Sequence, residues 1–526
     1  MQQLSELDAS FLYLETESAP MHIGGVYILD SSEQSGELSF EAFRQHIESR
    51  LPAARQFRQR LVEVPLKLGH PYWVDDPDFD ISNHLRHAHL PSPGAEAQLL
   101  QLTSAILAEP LNRERPLWEI TLVDGYQQSD TREPGCRALI VKIHHSVING
   151  ATGEELMSAL LDFSPEPSKR PLPQQAWNPN PLPSKARLIG NVYGSALNTP
   201  FRLANMAKDA AASAFYTLLV QRLHRLALPP ALFSAPPTSF NRAIGKERSL
   251  GYFACDLDRL KQLKKHHEDI TLNDVVMTLC SEVLTRYLHS LNENVERPLI
   301  AVSPISVRSK RIDSPTGSQL SAMLISLATN EPNLAIRLKS IHDNATSSQI
   351  YGQAISAARL TQLIPSSMLG LSARIYTEFQ LAQRHKPLFN IPITNIPGPQ
   401  TPLYFNGTKV TRQLGSAPLF DGLGLSIVVV SYNGEVTFTL TSNPKTISSP
   451  EELTKHFESA ITQLEKDLTH TDLDALEATL ESNKQRPPNI LAALLGDITA
   501  LFSNLFFEVK KVDESREKQK DVNSEP

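Results

Sequence analysis

Cysteine is scarce in this chain, and its placement is informative. Cys136, Cys255 and Cys280 stand far apart in a sequence of 526 residues. They form neither a CxxC pair nor an even set for a disulfide framework, so they read as reduced, structural thiols. A basic n-region and an apolar h-region are both missing from the start, "MQQLSELDASFLYLE". That argues against a signal peptide and for residence in the cytoplasm. No apolar run reaches the roughly 20 residues a membrane span needs. The closest, "ILAALLGDITALFSNLFF" at 490 to 507, carries Asp497 and Asn504 and reads as a helix with one wide apolar face. An excess of positive charge is absent too: the net charge of −7 gives no electrostatic ground for a nucleic-acid partner. No GxSxG elbow, HExxH helix or Walker loop occurs, and "GLGLS" at 422 to 426 lacks the third glycine of a dinucleotide site. Serine-based covalent catalysis and metal-dependent hydrolysis are left without support, and neither metal nor resident cofactor is expected.

What is present is an ordinary globular composition, 41% apolar and 20% charged, in a chain long enough for two or three domains. Between 20 and 165, "GGVYILD" and "RALIVKI" have strand patterns, while "SFEAFRQHIESRL" and "AEAQLLQLTSAILAEPL" have helical spacing. This region reads as an α/β domain over 1–165. A proline-rich stretch from Pro165 to Pro183 then excludes helix and central strand and marks a linker. Residues 184 to 227 are helical in tendency. They carry Lys185, Arg187, Arg202, Lys208, Arg222 and Arg225 against Asp209, a pattern that suits an anionic membrane surface or a solvated linker helix. Linker and basic segment together span 166–240. A second α/β domain is expected over 241–475, with strands in "PLIAVSPISVR" and "GLSIVVVSYNGEVTFTLT" and helices in "TLNDVVMTLCSEVLTRYLHSL" and "SPEELTKHFESAITQLEKDL". Residues 476–526 hold the apolar helix and a charged tail poor in aromatics.

The stretch "KIHHSVINGATG", 142 to 153, ends a strand pattern with His144 and His145. Adjacent strand side chains point to opposite faces, so one histidine faces a given cavity and the other holds structure. A neutral imidazole there can take a proton from a hydroxyl or thiol at pH 7. The competing reading is a hydrogen-bonded pair that merely ends a strand.

The ordered series of motifs around this pair resembles the bacterial wax ester synthase/diacylglycerol acyltransferase family, whose signature is HHxxxDG on the fold of the CoA-dependent acyltransferases. The series is "LSELDASFLYLETESAPMHIGG", "YWVDDPDFDISNHLRHAHLPSPG", "RERPLWEITLVDG", the histidine pair, "FNRAIG", "LNDVVMTL", "PISVR", "NIPGP" and "PLFDGLGLSIVVVSYNG". The resemblance implies an α/β fold of two chloramphenicol-acetyltransferase-like domains with an active-site tunnel between them. Its substrates would be acyl-CoA and a long-chain fatty alcohol or a diacylglycerol, with peripheral contact to the inner membrane or to lipid inclusions. It makes His145 the general base and His144 its support. Pro116, Leu117 and Trp118 match the family's PLW motif, and Asn273 and Asp274 its ND motif. Trp118 reads equally as core, and Asn273 with Asp274 as the cap of a helix near Thr271. The leucines of "ISAARLTQLIPSSMLGL", 355 to 371, suit a tunnel wall or ordinary core.

The chain departs from the signature at one position: Asn149, before Gly150, stands where the family carries aspartate. In this architecture the aspartate holds the catalytic loop, often by an ion pair with an arginine, for which Arg308 of "PISVR" is the candidate. Asparagine retains the shape and loses the charge, so a charge-assisted bond becomes a weaker neutral one. Two rival classes stay open: a noncatalytic lipid-binding or lipid-droplet protein, favoured by Asn149, and a peptide-synthetase condensation domain, which shares the histidine motif and fold.

Overall fold

The apolar run "RALIVKI" is the middle of a sheet in the computed structural model, which describes residues 1–30, 39–65, 69–127, 136–147, 159–167, 177–190, 230, 234–293, 295–307, 319–356 and 386–471. In chain order the first half comprises β1 (Gln2–Gln3), α1 (Glu6–Leu14), β2 (His22–Asp30), α2 (Phe40–Arg50), β3 (Gln59–Val62), β4 (Tyr72–Asp75), β5 (Leu85–His89), α3 (Glu96–Ala108), β6 (Trp118–Tyr126) and β7 (Cys136–His144). The second half comprises β8 (Ser249–Asp256), α4 (Leu257–Lys264), α5 (Leu272–Ser290), β9 (Ile300–Val307), β10 (Gln319–Ser326), α6 (Leu334–Ser356), β11 (Ile391–Pro397), β12 (Tyr404–Phe405), β13 (Thr408–Ser416), β14 (Leu425–Tyr432), β15 (Glu435–Ser442), α7 (Glu451–Thr454) and α8 (Phe457–His470).

Two six-stranded sheets result, ordered β12-β13-β2-β7-β6-β5 and β10-β9-β11-β14-β15-β8. β7 lies inside the first, antiparallel to both β2 and β6. Its odd residues Leu139, Val141 and Ile143 enter one apolar cluster, and Cys136, Ala138 and Ile140 another on the opposite face. A strand covered on both faces needs a continuous apolar run, which is what 138 to 141 supplies. The second sheet packs β14 and β15 against α5, α6 and α8. β14 and β15 meet at Asn433 and Gly434, whose φ of 47° and 86° fit a tight hairpin turn.

Strands β12 and β13, which belong to the second half in sequence, complete the first sheet: β13 pairs with β2 from Lys409↔Asp30 to Ser416↔Gly24. Gly415 permits the crossing, because a Cβ there would lie 2.5 Å from Val428 of β14. Tyr252 of β8 donates to Glu96 of α3 at 2.5 Å, and Arg412 of β13 donates to Tyr252 and to both carboxylate oxygens of Glu435. Helix, strand and both sheets are thereby tied at one point.

Three features differ from the sequence pattern. The single helix expected over "SPEELTKHFESAITQLEKDL" breaks between α7 and α8, where the His456 N–H bonds to Leu453 O and Phe457 turns inward to stack on Phe253 at 5.3 Å. The far end of the linker is docked: Trp177 donates to Asp76 O beneath the Arg58 guanidinium, and Asn180 donates twice to the Asp75 carboxylate. The chain also returns from the histidine loop into a buried clamp. There Arg50 of α2 donates to both oxygens of Asp162, at 3.1 and 2.5 Å, while His46 meets Leu160 O at 2.9 Å. Residues 191 to 227, 357 to 385 and 490 to 507 fall outside the described set.

Arg50→Met removes the cation from a buried carboxylate and is expected to cost about 3–5 kcal/mol, read as a lowered midpoint in urea unfolding.

Candidate active site

The histidine pair sits where β7 stops. His144, 1% exposed, is its last residue; its N–H donates to Leu117 O and its register partner is His22 of β2. Beyond it the chain turns into a short 3₁₀ segment, His145–Val147, which frees the second ring from the alternation of the strand. The His145 N–H donates to Met21 O at 2.8 Å. Its ring lies flat on Phe11 of α1, centroids 3.7 Å apart and planes 15° from parallel. The two histidines are thus gripped from one side by the α1–β2 connection.

Each ring has a distinct electrostatic setting. The backbone N–H of Ser146 donates to Nδ1 of His144 at 3.1 Å, with the Ser146 Oγ 2.7 Å from the same atom. An Nδ1 that accepts from a peptide N–H carries no proton in the neutral ring, so the proton resides on Nε2. That nitrogen faces Glu15 Oε1 at 3.5 Å, a contact longer than an ordinary hydrogen bond. Glu15 also accepts from Arg113 at 2.9 and 2.5 Å and from the Met21 N–H at 3.2 Å. Burial acts to raise the Glu15 carboxyl, but the His144 ring and the Arg113 guanidinium together outweigh it and hold it at about 2. For His145, burial is the dominant effect and pulls the imidazole down to about 4. Its Nδ1 is buried without a hydrogen-bond partner among the described residues. His22 is buried likewise, both ring nitrogens without such partners, and is lowered to about 3 by burial and then by Lys142 and His144.

The PLW residues are scaffold. Leu117 supplies the carbonyl that receives the His144 N–H. Trp118 pairs with Ile143 in the sheet, donates its indole N–H to Phe57 O at 2.8 Å and stacks on His84 at 4.5 Å. Pro116 and Leu117 are buried beside it. Asp274 is a cap: its carboxylate receives the Thr271 N–H while the Thr271 hydroxyl receives the Asp274 N–H. It also meets Nδ1 of His342 at 2.9 Å, a hydrogen bond that raises the pKa of that ring. Asn273 opens the same helix, and its Oδ1 accepts from Asn395 of β11 at 3.3 Å. No hydrogen bond joins Asn273 or Asp274 to the histidine pair among the described residues. Asn149, Gly150 and Arg308 lie outside those residues.

Other motifs converge as a frame. Asn241 donates to Asn390 O and Gly422 O, and the Asp421 carboxylate receives the Ile244 N–H. "FNRAIG" and "PLFDGLG" are thereby joined, and their Ile244 and Leu419 pack with Met21 and Phe11, against which His145 rests. Sequence reasoning did not single out Phe11, Glu15, Met21, His22, Arg113 or Ser146. The stretch "FLYLETESAPMH" held a signal, a carboxylate and a histidine beside a short apolar helix, but nothing in it named their partners.

The family model described as the wax ester synthase/diacylglycerol acyltransferase catalytic domain matches residues 4–276, and that of the WS/DGAT C-terminal domain matches 316–465. A putative diacylglycerol O-acyltransferase of Mycobacterium tuberculosis is 34% identical over 454 residues, 84% of this chain and 86% of the relative. A probable diacylglycerol O-acyltransferase of the same organism is 30% identical over 467 residues, 87% and 98% of the two chains. Among solved structures, the wax ester synthase/diacylglycerol acyltransferase from Marinobacter aquaeolei VT8 superposes with a TM-score of 0.62 at 25% identity, covering 89% of this chain and all of that one (100%). The starter condensation domain of rhizomide synthetase, at a TM-score of 0.50 and 13% identity over 89% and 94% of the chains, shares the fold alone.

Because burial keeps His145 and His22 neutral, the unfolded chain binds more protons than the fold once pH drops below 6.5. Stability is therefore expected to fall between pH 6.5 and 4.5, above the range in which Glu15 titrates. Urea midpoints across that interval check this, and His22→Leu is expected to flatten the slope.

Proposed function

The chain belongs to the wax ester synthase/diacylglycerol acyltransferase family, and on that premise we propose that it moves a fatty acyl group from acyl-CoA to the hydroxyl of a long-chain alcohol or a diacylglycerol, with His145 as general base. The observation that carries the reading is the partly buried imidazole of His145 just beyond β7, neutral at pH 7 and clamped through its backbone to Met21. A base in that state takes the hydroxyl proton as the alkoxide oxygen attacks the thioester carbonyl. Collapse of the tetrahedral intermediate breaks the C–S bond, and the imidazolium returns its proton to the CoA thiolate. No acyl-enzyme intervenes. The oxyanion needs preorganised donors, each worth roughly 3 kcal/mol at a well-formed site. With Oδ1 of Asn273 accepting from Asn395, the amide NH₂ of Asn273 is the side-chain candidate, beside backbone N–H groups.

Thiol release from acyl-CoA in the presence of hexadecanol, or of a diacylglycerol, tests the reading and ranks the two acceptors. His145→Ala is expected to lower the rate by about 100- to 10,000-fold with unfolding unchanged. His144→Ala is expected to lose less activity, or to lose stability along with it. Equal rates in wild type and His145→Ala sink the assignment of the base. Wild type that binds lipid yet releases no thiol supports instead the noncatalytic lipid-binding reading, for which the neutral Asn149 speaks.

We further propose peripheral attachment to a membrane or lipid inclusion on the cytoplasmic side. No helix among the described residues is long and apolar enough to cross a membrane. The supporting features are the basic segment at 184 to 227 and the apolar face at 490 to 507. Attraction through the first is screened over about 8 Å at physiological salt; insertion through the second is not. Flotation with anionic liposomes should show a salt-sensitive fraction lost in Arg222→Gln/Arg225→Gln and a salt-resistant fraction lost on truncation before Pro487. Protein that stays unbound at low salt refutes both surfaces.

A further inference from the structure

Among the described residues, one carboxylate lies within ion-pair reach of either active-site histidine, and it belongs to neither the HHxxxNG loop nor β7. Glu15 caps the C-terminal end of α1, 9% exposed. Arg113, from the strand-leading "RERPLW" segment, donates to it twice and to Leu12 O as well, so the carboxylate is fixed to both the helix and the loop before β6. One oxygen is aimed at Nε2 of His144, the nitrogen that bears the proton because Ser146 occupies Nδ1. The same oxygen receives the Met21 N–H, and the carbonyl of Met21 receives the N–H of His145. A single anion therefore reaches one histidine through its ring and the other through the backbone of one residue, Met21.

The surroundings give such an anion a purpose. The signature aspartate is replaced by Asn149. The buried ring of His22 beside His144 feels the positive charges of Lys142 and Arg248, and Arg113 adds another. At His145 itself burial and the neighbouring His144 ring oppose an imidazolium, and an anion set beside His144 offsets that opposition. We propose that Glu15 is the carboxylate of this catalytic centre, a positioning residue that orients the His144 ring by its charge across 3.5 Å to Nε2 and steadies the His145 backbone through Met21. This rests on the reading of His145 as the base.

Glu15→Gln preserves size and the oxygen for the Met21 N–H while removing the charge. It is expected to lower kcat by about 10- to 100-fold with KM for acyl-CoA within about twofold, because an interaction needed only as charge develops is lost. Glu15→Asp is expected to recover part of that rate. In a His144→Asn background the Glu15→Gln step should cost much less than in wild type, since the two act as one unit. Arg113→Gln, at a half-exposed position, covers the case in which Glu15→Gln does not fold, and should lower kcat by about 3- to 10-fold at unchanged KM. A readout free of catalysis is the unfolding midpoint against pH. Glu15 is ionised in the fold well below its unfolded range, so its contribution is complete above pH 4.5 and disappears as pH falls toward 2. The gap between wild type and Glu15→Gln should close over that interval. A closing gap together with a fully active His145→Ala would uphold the anionic lock and overturn the base. Wild-type kcat in both Glu15→Gln and Arg113→Gln, full additivity with His144→Asn, or a gap independent of pH would each overturn the proposal.

Discussion

The site depends on the backbone of one residue. Met21, at the entrance to β2, turns its carbonyl toward the backbone of His145 and its N–H toward Glu15, just before β2 and β7 begin their pairing at His22↔His144. A strand end is normally free to fray, because its last groups have no ladder partner. Here those groups are taken: the His144 N–H by Leu117, the His145 N–H by Met21, and Nδ1 of His144 by Ser146. The geometry of the histidine pair is thereby imposed at the tip of a strand buried along nearly its whole length.

Burial has opposite consequences for the groups at that tip. It favours the neutral form of every titratable side chain, and for His145 and His22 nothing described opposes it strongly. Glu15 suffers the same penalty and stays ionised because Arg113, His144 and a peptide N–H all address it. The firm anion stands 3.5 Å from the His144 ring, next in sequence to the neutral imidazole of His145. The contrast arises from unequal partnering in a common environment.

The motifs around the histidines divide by physical role. "RERPLW" is a clamp: Arg113 holds Glu15, Leu117 receives His144, and Trp118 anchors the sheet to the core through Phe57. "FNRAIG" and "PLFDGLG" are two loops sewn together by Asn241, Asp421 and Asn390, and they press the second half against Phe11. The ND dipeptide splits, with Asp274 spent on capping and on His342, and Asn273 turned to Asn395. Residues that look alike in a motif are thus separated by what each one touches.

Local patterns along the chain were sufficient for a good part of this. The runs "GGVYILD" and "RALIVKI" read as strands and form β2 and β7, "SFEAFRQHIESRL" reads as a helix and forms α2, and "TLNDVVMTLCSEVLTRYLHSL" reads as a helix and forms α5. All of these follow from period and propensity, which act over a few residues. Tertiary structure alone decided that Glu15 and Arg113, separated by nearly a hundred positions, meet beside His144. It also decided that β13 completes a sheet begun at β2 and that Trp118 belongs to the core. Pairings of this kind are chosen by shape and charge between elements distant in sequence, and no local pattern encodes a partner that only folding brings within reach.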